Sequence, residues 1–282
     1  MQLGRFTIEQ LSEGQFEVYK DGTILRKPVT IKSTGTRNSP AIRHSSRIGI
    51  GPVLVSDARY NVLLDTGLGW GLDAGSRNKD VSNVITNLDI FNRSPEDITH
   101  VILTHLHYDH AAGSTLTDRT ASTVATFPNA RYYVQRREWE FALYQLGNSQ
   151  SVKEGVYYQL DDLYRLVADG KIEFLDDDFT ELLPGFKVLW TGGHTPGHQA
   201  VRIEDEKNVA YYLGDLLPSE YHLNRYLMSR KDVSPFQSRK MKTQLLRTAC
   251  KENAVLVFYH SLYSRAGILG RDQDKNFILK KV

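Results

Sequence analysis

Val101-Ile102-Leu103-Thr104-His105-Leu106-His107-Tyr108-Asp109-His110 is the stretch on which the reading of this chain turns. The apolar run that ends at Leu103 has the length and composition of a buried strand. Directly behind it, His105, His107, Asp109 and His110 place four metal-capable side chains within six positions. While the chain stays extended, His105 and His107 point to the same side, because side chains alternate along a strand. They can share one cation. The chain must then turn, and Asp109 and His110 can face a second cation nearby. Imidazole nitrogen and carboxylate oxygen suit Zn2+, Fe2+ or Mn2+. A polar, histidine-rich turn is the plain alternative. It gives no reason for this density of ligands at the end of a buried strand.

Working outward, the same placement recurs three times. His194 lies in Gly192-Gly193-His194-Thr195-Pro196-Gly197-His198, just past the apolar run Phe186 to Trp190. Asp215 follows Val209 to Leu213, and His260 follows the run Val255 to Tyr259. Five of the 9 histidines fall into this scheme. Loops at strand ends can be aimed without disturbing a core, so layered α/β folds put their chemistry there.

The remaining patterning fits such a fold. Phe6 to Leu11 and Phe16 to Tyr19 alternate around Ser12-Glu13-Gly14 and read as a hairpin, and Ile48 to Val55 and Val62 to Leu64 read as buried strands. Ser33 to Arg47 reads as a polar loop, with Arg37, Arg43, His44 and Arg47 available to an anion or a dimer contact. Asp80 reads as an N-cap for a helix carrying Val81, Val84, Ile85 and Leu88, and Ser94 to Asp97 as a turn. Helical spacing covers Gln135 to Leu146, Val156 to Val167 and Pro235 to Glu252. Strands are expected at His100 to Leu103, Ile172 to Leu175, Phe186 to Trp190, Ala200 to Ile203, Val209 to Leu213 and Val255 to Tyr259. Strands followed by a helix, once in each half, imply an α/β fold with two packed sheets and helices outside.

Composition narrows the class. With 40% hydrophobic residues, the 282-residue chain can bury a sizeable core, and nothing in it breaks the composition, so residues 1–282 are expected to form a single domain. A net charge of +2 gives no basis for a general nucleic-acid surface. The single cysteine, Cys250, excludes an internal disulfide framework and reads as helix packing, which suits a reducing, cytoplasmic setting. Met1 to Gln10 lacks a signal-peptide core, and no window approaches the roughly 20 apolar residues of a membrane helix.

The order of these motifs resembles the metallo-β-lactamase superfamily. Its pattern is His-x-His-x-Asp-His, then Gly-His-Thr-x-Gly-His, then an aspartate and a last histidine. Asp65-Thr66-Gly67 is similar to its early Asp-x-Gly element. The resemblance runs from about Asp65 to His260 and implies an αβ/βα four-layer sandwich with two divalent metal ions at one edge, Zn2+ foremost. It implies that His105, His107 and His194 hold one metal, that Asp109, His110 and His260 hold the other, and that Asp215 bridges both. Asp65 would orient a ligand from behind, and His198 would support the Thr195-Pro196-Gly197 turn.

The resemblance also implies hydrolysis by a metal-bridging hydroxide. Asp215 argues against true β-lactamases, which place cysteine or serine near this point. Gly214-Asp215-Leu216-Leu217-Pro218-Ser219-Glu220-Tyr221-His222 resembles a subgroup near the N-acyl-homoserine lactonases. Pro218 stands where those carry a tyrosine, so Tyr221 or His222 is the expected replacement. An ester or lactone is the expected substrate, with a small-molecule phosphodiester as the alternative; a redox or non-catalytic role ranks behind both. Asp109, Asp215, Tyr221 and His222 are the expected catalytic set. A small-molecule substrate is expected, without nucleic acid or membrane partner, and a homodimer is left open. The long segment from Ser114 to Gly185, rich in aromatics, is expected to include a helical lid.

Overall fold

A computed structural model describes residues 1–19, 24–26, 45–69, 84–118, 120–147, 158–161, 163–224, 226–229 and 231–281. Two seven-stranded sheets carry the fold. The first runs in the order Gln2–Leu3, Phe6–Gln10, Val53–Ser56, Asn61–Leu64, His100–Ile102, Arg131–Gln135, Ile172–Leu175. The second runs Phe179–Leu183, Phe186–Trp190, Gln199–Asp205, Asn208–Tyr212, Val255–Val257, Ala266–Arg271, Phe277–Lys280.

Period-two alternation sorts the strand residues between layers. Val53, Val55, Val62, Leu64 and Ile102 of the first sheet meet Val201, Ile203, Ala210, Tyr212, Val255 and Val257 of the second in one buried cluster. The intervening Leu54, Leu63, Val101 and Leu103 face outward, against Val84 and Leu88 of helix Val84–Ile90 and Trp139 and Ala142 of helix Arg136–Gly147. On the other side Ala200, Val209, Tyr211 and Leu256 receive Leu245, Leu246 and Ala249 of helix Pro235–Lys251. The result is the expected four-layer αβ/βα sandwich. No described helix is long and apolar enough to cross a membrane.

Three expectations change. Phe6–Gln10 and Gly14–Tyr19 do not pair as a hairpin: the first pairs with Val53–Ser56 and the second with Ser45–Ile50. The run Ile48 to Val55 is correspondingly two strands. Pro52, which has no N–H to give a ladder, sits at the break with Gly51. The two stretches therefore bend together, and Gly14–Tyr19 and Ser45–Ile50 form a small three-stranded sheet with Ile24–Arg26. Among the described residues of the stripe Val156 to Val167, helix begins at Leu163 and runs to Ala168, while Tyr158 forms an antiparallel bridge with His107.

Segment 114–185 supplies the inner strands Arg131–Gln135 and Ile172–Leu175, and its helices Arg136–Gly147 and Leu163–Ala168 belong to the outer layer. Residues 148–157 between those helices, the N-cap Asp80 with Val81, and Arg37, Arg43 and His44 lie outside the described residues.

Strand direction positions the site. Asn61–Leu64 and His100–Ile102 are parallel with Leu64 opposite Ile102, so Asp65 and the His105 motif leave the sheet side by side. In the second sheet Tyr212 lies opposite Val257 in a parallel pair, which brings Asp215 and His260 off the same edge. Phe186–Trp190 points the same way, being antiparallel to a strand that is itself antiparallel to Asn208–Tyr212.

Candidate metal centre

The turn expected after His107 is a short helix, Tyr108–Ala111, in which His110 N–H and Ala111 N–H both donate to His107 O. It swings Asp109 and His110 away from the extended His105-His107 pair. All four side chains are buried, as are His194 and His260.

These side chains converge. His107 Nδ1 lies 3.0 Å from His105 Nε2 and 3.2 Å from His194 Nε2. His260 Nε2 lies 3.2 Å from His110 Nε2 and 3.6 Å from Asp109 Oδ2. Asp215 reaches both groups: Oδ2 is 3.3 Å from His194 Nε2, while Oδ1 is 3.3 Å from His110 Nε2 and 3.2 Å from His260 Nε2. Ligand atoms of His105, His107 and His194 lie within 4.8 Å of one another, as do those of Asp109, His110 and His260; His105, His110 and Asp215 form a third such group that links them.

The donor chemistry fits two cations. Neutral imidazole has one donor and one acceptor nitrogen, so three nitrogens aimed at one point cannot satisfy each other by sharing protons. Asp215 Oδ1 is buried without a hydrogen-bond partner. A divalent ion in each half would satisfy these atoms together.

The ring nitrogens that face away are held. His110 Nδ1 meets Asp65 Oδ2 at 2.8 Å, His194 Nδ1 meets Asp232 Oδ1 at 2.9 Å, and His260 Nδ1 donates to Gly49 O at 2.8 Å. Such contacts fix ring orientation and raise ligand basicity. Asp65 is more than a ligand's partner. Its carboxylate also accepts from Thr104 N–H, Thr104 Oγ1 and Tyr212 Oη, so it ties both sheets beneath the site.

The His198 ring, expected to support the Thr195-Pro196-Gly197 turn, instead contacts Asp215 and Thr191. Its Nε2 accepts from Asp215 N–H at 3.1 Å, so its Nδ1 carries the proton and meets Thr191 Oγ1 at 2.6 Å. Burial and the neighbouring His194 hold its pKa well below the usual value, consistent with this neutral tautomer.

Burial, helped by neighbouring histidines, also pushes His105 and His107 well below their usual pKa. Burial alone would lower His110 too, but Asp65 and Asp215 outweigh it and raise its pKa well above normal. Burial would raise Asp215; His260, His110 and His194 overcome that and hold it well below the carboxylate range. These directions leave Asp215 anionic beside unprotonated His105 and His107, the forms in which such side chains could ligate a divalent cation.

Glu138 was not legible in the sequence. It is fully buried on helix Arg136–Gly147 and accepts four hydrogen bonds. Oε2 receives Thr195 Oγ1 at 2.6 Å and Gly197 N–H at 3.1 Å; Oε1 receives Leu106 N–H at 3.0 Å and Tyr158 Oη at 3.3 Å. It thereby joins the His105-His107 loop to the His194 turn. Asp232 was also missed. The only local signal for either was a carboxylate near the start of a helix, which is common on surfaces.

Tyr221 and His222 sit on a short 3-10 helix, Glu220–Leu223, beyond Asp215. Tyr221 is 60% exposed. His222 is half-buried with Nδ1 2.9 Å from Ser219 Oγ, and burial together with Lys242 lowers its pKa. Cys250 is half-buried against the outer cluster under helix Pro235–Lys251.

The profile of the Metallo-beta-lactamase superfamily matches residues 52–260. An N-acyl homoserine lactonase of Bacillus cereus is 33% identical over 190 residues, which is 65% of this chain and 64% of that protein. The match therefore spans just under two thirds of that relative's length. Among solved structures, a probable metal-dependent hydrolase from Staphylococcus aureus superposes with a TM-score of 0.74 at 26% identity, covering 100% of this chain and 99% of that one. AidC, a dizinc quorum-quenching lactonase solved with a product, gives a TM-score of 0.73 at 19% identity over 100% of this chain and 96% of its own, a likeness of fold. With the profile spanning both sheets and every motif of the buried His/Asp cluster, the chain belongs to the metallo-beta-lactamase superfamily.

Proposed function

We propose that the chain is a binuclear metal-dependent hydrolase that opens the lactone ring of N-acyl-homoserine-lactone-like substrates. The observation that carries the metal chemistry is Asp215, whose two oxygens lie 3.2–3.3 Å from histidines of the two separate ligand groups. The lactone itself is supported by the Bacillus cereus relative.

His105, His107 and His194 would hold one divalent ion, and Asp109, His110 and His260 the other, with Asp215 within reach of both groups. Ions held there would supply Lewis acidity for a carbonyl and would lower the pKa of water towards neutrality. In the reaction the water oxygen bonds to the carbonyl carbon and the ring C–O bond breaks. Asp109 carries one water proton to the leaving alkoxide, and the other is released as the product acid ionises. His222 takes the place of the lactonase tyrosine: Ser219 engages its Nδ1, and Nε2 meets the substrate. With its lowered pKa the ring is neutral at pH 7, so Nε2–H can donate to the carbonyl. Tyr221, largely exposed, serves at most the rim. Tyr158, its ring 5.0 Å from His107 and 6.1 Å from Phe141, forms an apolar edge for the acyl chain. This edge is the contribution of the long segment 114–185 to a lid.

The test is a panel of acyl-homoserine lactones, aryl esters and bis(p-nitrophenyl) phosphate, assayed with zinc and with manganese. Lactone turnover well above phosphodiester turnover is expected. The reverse ranking overturns the lactone reading, and equal rates in metal-free protein overturn the metal reading.

A further inference from the structure

Lysine is rarely fully buried unless its charge has a purpose. Lys242, on the inward side of helix Pro235–Lys251, is fully buried. Its ammonium donates to Leu227 O at 2.5 Å and to Asn224 O at 3.2 Å. Those carbonyls belong to the loop that leads from the Glu220–Leu223 turn to the helix. Eight residues after Asn224, Asp232 meets His194 Nδ1 with a side chain only 2% exposed. The next two residues clasp the same turn: Val233 N–H donates to His194 O at 3.0 Å and Ser234 N–H to Gly193 O at 2.8 Å. Gly193 permits this approach. At its φ of +88° a side chain would be strained, and a Cβ would lie 2.5 Å from Ser238 N.

Two buried charges therefore share this corner, the Asp232 carboxylate and the Lys242 ammonium. Asp232 acts on Lys242 by favouring its charged form, against the desolvation that lowers its pKa to about 8. A buried carboxylate without a compensating charge is costly. A loop whose carbonyls lose their donor has no reason to stay folded against the helix.

We propose that Lys242 is a positioning residue of the metal centre: it pins the 224–232 loop and offsets the buried Asp232 charge, so that Asp232 holds the His194 ring with Nε2 towards the metal. This rests on the two-metal reading above but not on any substrate. Lys242 touches no reacting atom. Among the proposed metal ligands it acts through His194, which Asp232 contacts.

Metal-loaded protein is challenged with a chelator, and release is followed with a zinc-sensitive dye. The phase that His194→Ala removes reports that ligand group. Lys242→Met is expected to weaken it about ten- to a hundredfold, the range for loss of a ligand's supporting partner, and to leave the other phase unchanged. Lys242→Gln, which keeps N–H donors without the charge, is expected to fall between, and decides the matter should the methionine variant fail to fold. Leu246→Ala, buried one turn further along the helix, should lower stability with wild-type metal release. Adding Lys242→Met to Asp232→Asn should cost little beyond Asp232→Asn alone. Wild-type release from Lys242→Met, or equal loosening by Leu246→Ala, overturns the proposal and leaves the hydrolase reading intact. Protein that retains no metal overturns both.

Discussion

The Tyr212 hydroxyl, on the second sheet, donates to Asp65 Oδ2, on the first, across 2.7 Å. The same oxygen lies 2.8 Å from His110 Nδ1, so one carboxylate links the two sheets to the His/Asp cluster. Tyr212→Phe removes one of several donors to Asp65. It should cost about 1.5–3 kcal/mol, as for a hydrogen bond to a charged group, read as a shift in the denaturant midpoint. Asp65→Asn should do more, since its amide N–H2 must face donors; metal affinity should fall about 10- to 100-fold. Isothermal titration of both variants checks the order, and a harmless Asp65→Asn would remove Asp65 from the support of His110.

Glu138 meets four donors, two of them backbone N–H groups, one at each oxygen. Hydroxyl partners can rotate and backbone N–H groups cannot. Glu138→Gln, though nearly isosteric, must therefore set its own N–H2 against Leu106 N–H or Gly197 N–H. It should destabilise the fold by about 2 kcal/mol or more, nearly as much as Glu138→Ala. A glutamine variant that unfolds like the wild type would show that the carboxylate charge is not needed there.

Close packing gives a sterically clean prediction at the same clamp. A Cβ on Gly197 would lie 2.2 Å from Glu138 N and 2.4 Å from Glu138 Cα, which are backbone atoms that cannot step aside. Gly197→Ala should cost several kcal/mol, on the order of 3, by forcing the His194 turn off the helix. The thermal transition, measured with and without added zinc, should drop in both conditions.

Lys242 makes stability depend on pH. Its folded pKa is lowered to about 8 from the ordinary 10.5. Between those values the unfolded chain binds the extra proton, so stability rises with pH across the window, by at most about 1.4 kcal/mol per unit. Below pH 8 both states are protonated and the effect is constant. Lys242→Met lacks this slope. Guanidinium unfolding at pH 7.5, 8.5 and 9.5 should therefore show the wild type gaining on the variant as pH rises; a constant gap would mean the amine titrates normally in the fold.

Removing metal should lower the melting temperature, because ions that bind only the folded state stabilise it by mass action. Stripped protein leaves a cluster of mutually facing imidazoles around Asp215, and re-addition of zinc or manganese should restore the transition. A melting temperature indifferent to chelator would count against metal at this site.

The histidines and aspartates that cluster in the fold were legible in the sequence because their signal is local. A strand's period places His105 and His107 on one side, and an apolar run that stops at a polar residue marks the edge where His194, Asp215 and His260 emerge. The inner and outer faces of Val53–Ser56 and Asn61–Leu64 follow from the same alternation. Pairing was not legible. Phe6–Gln10 and Gly14–Tyr19 look like a hairpin, yet each finds its partner in a half of residues 45–56, because the break at Gly51-Pro52 offers two separate edges.

The sequence by itself determined which side chains could bind metal and in what order the chain delivers them, since strand period and strand ends are properties of neighbouring residues. Only the tertiary structure decided what holds them: Glu138 against Thr195 over 57 residues, Asp232 against His194 over 38, Tyr212 against Asp65 over 147. Those pairings come from the stacking of two sheets and the seating of two helices. A buried carboxylate or lysine has no pattern of its own until packing has removed the water around it.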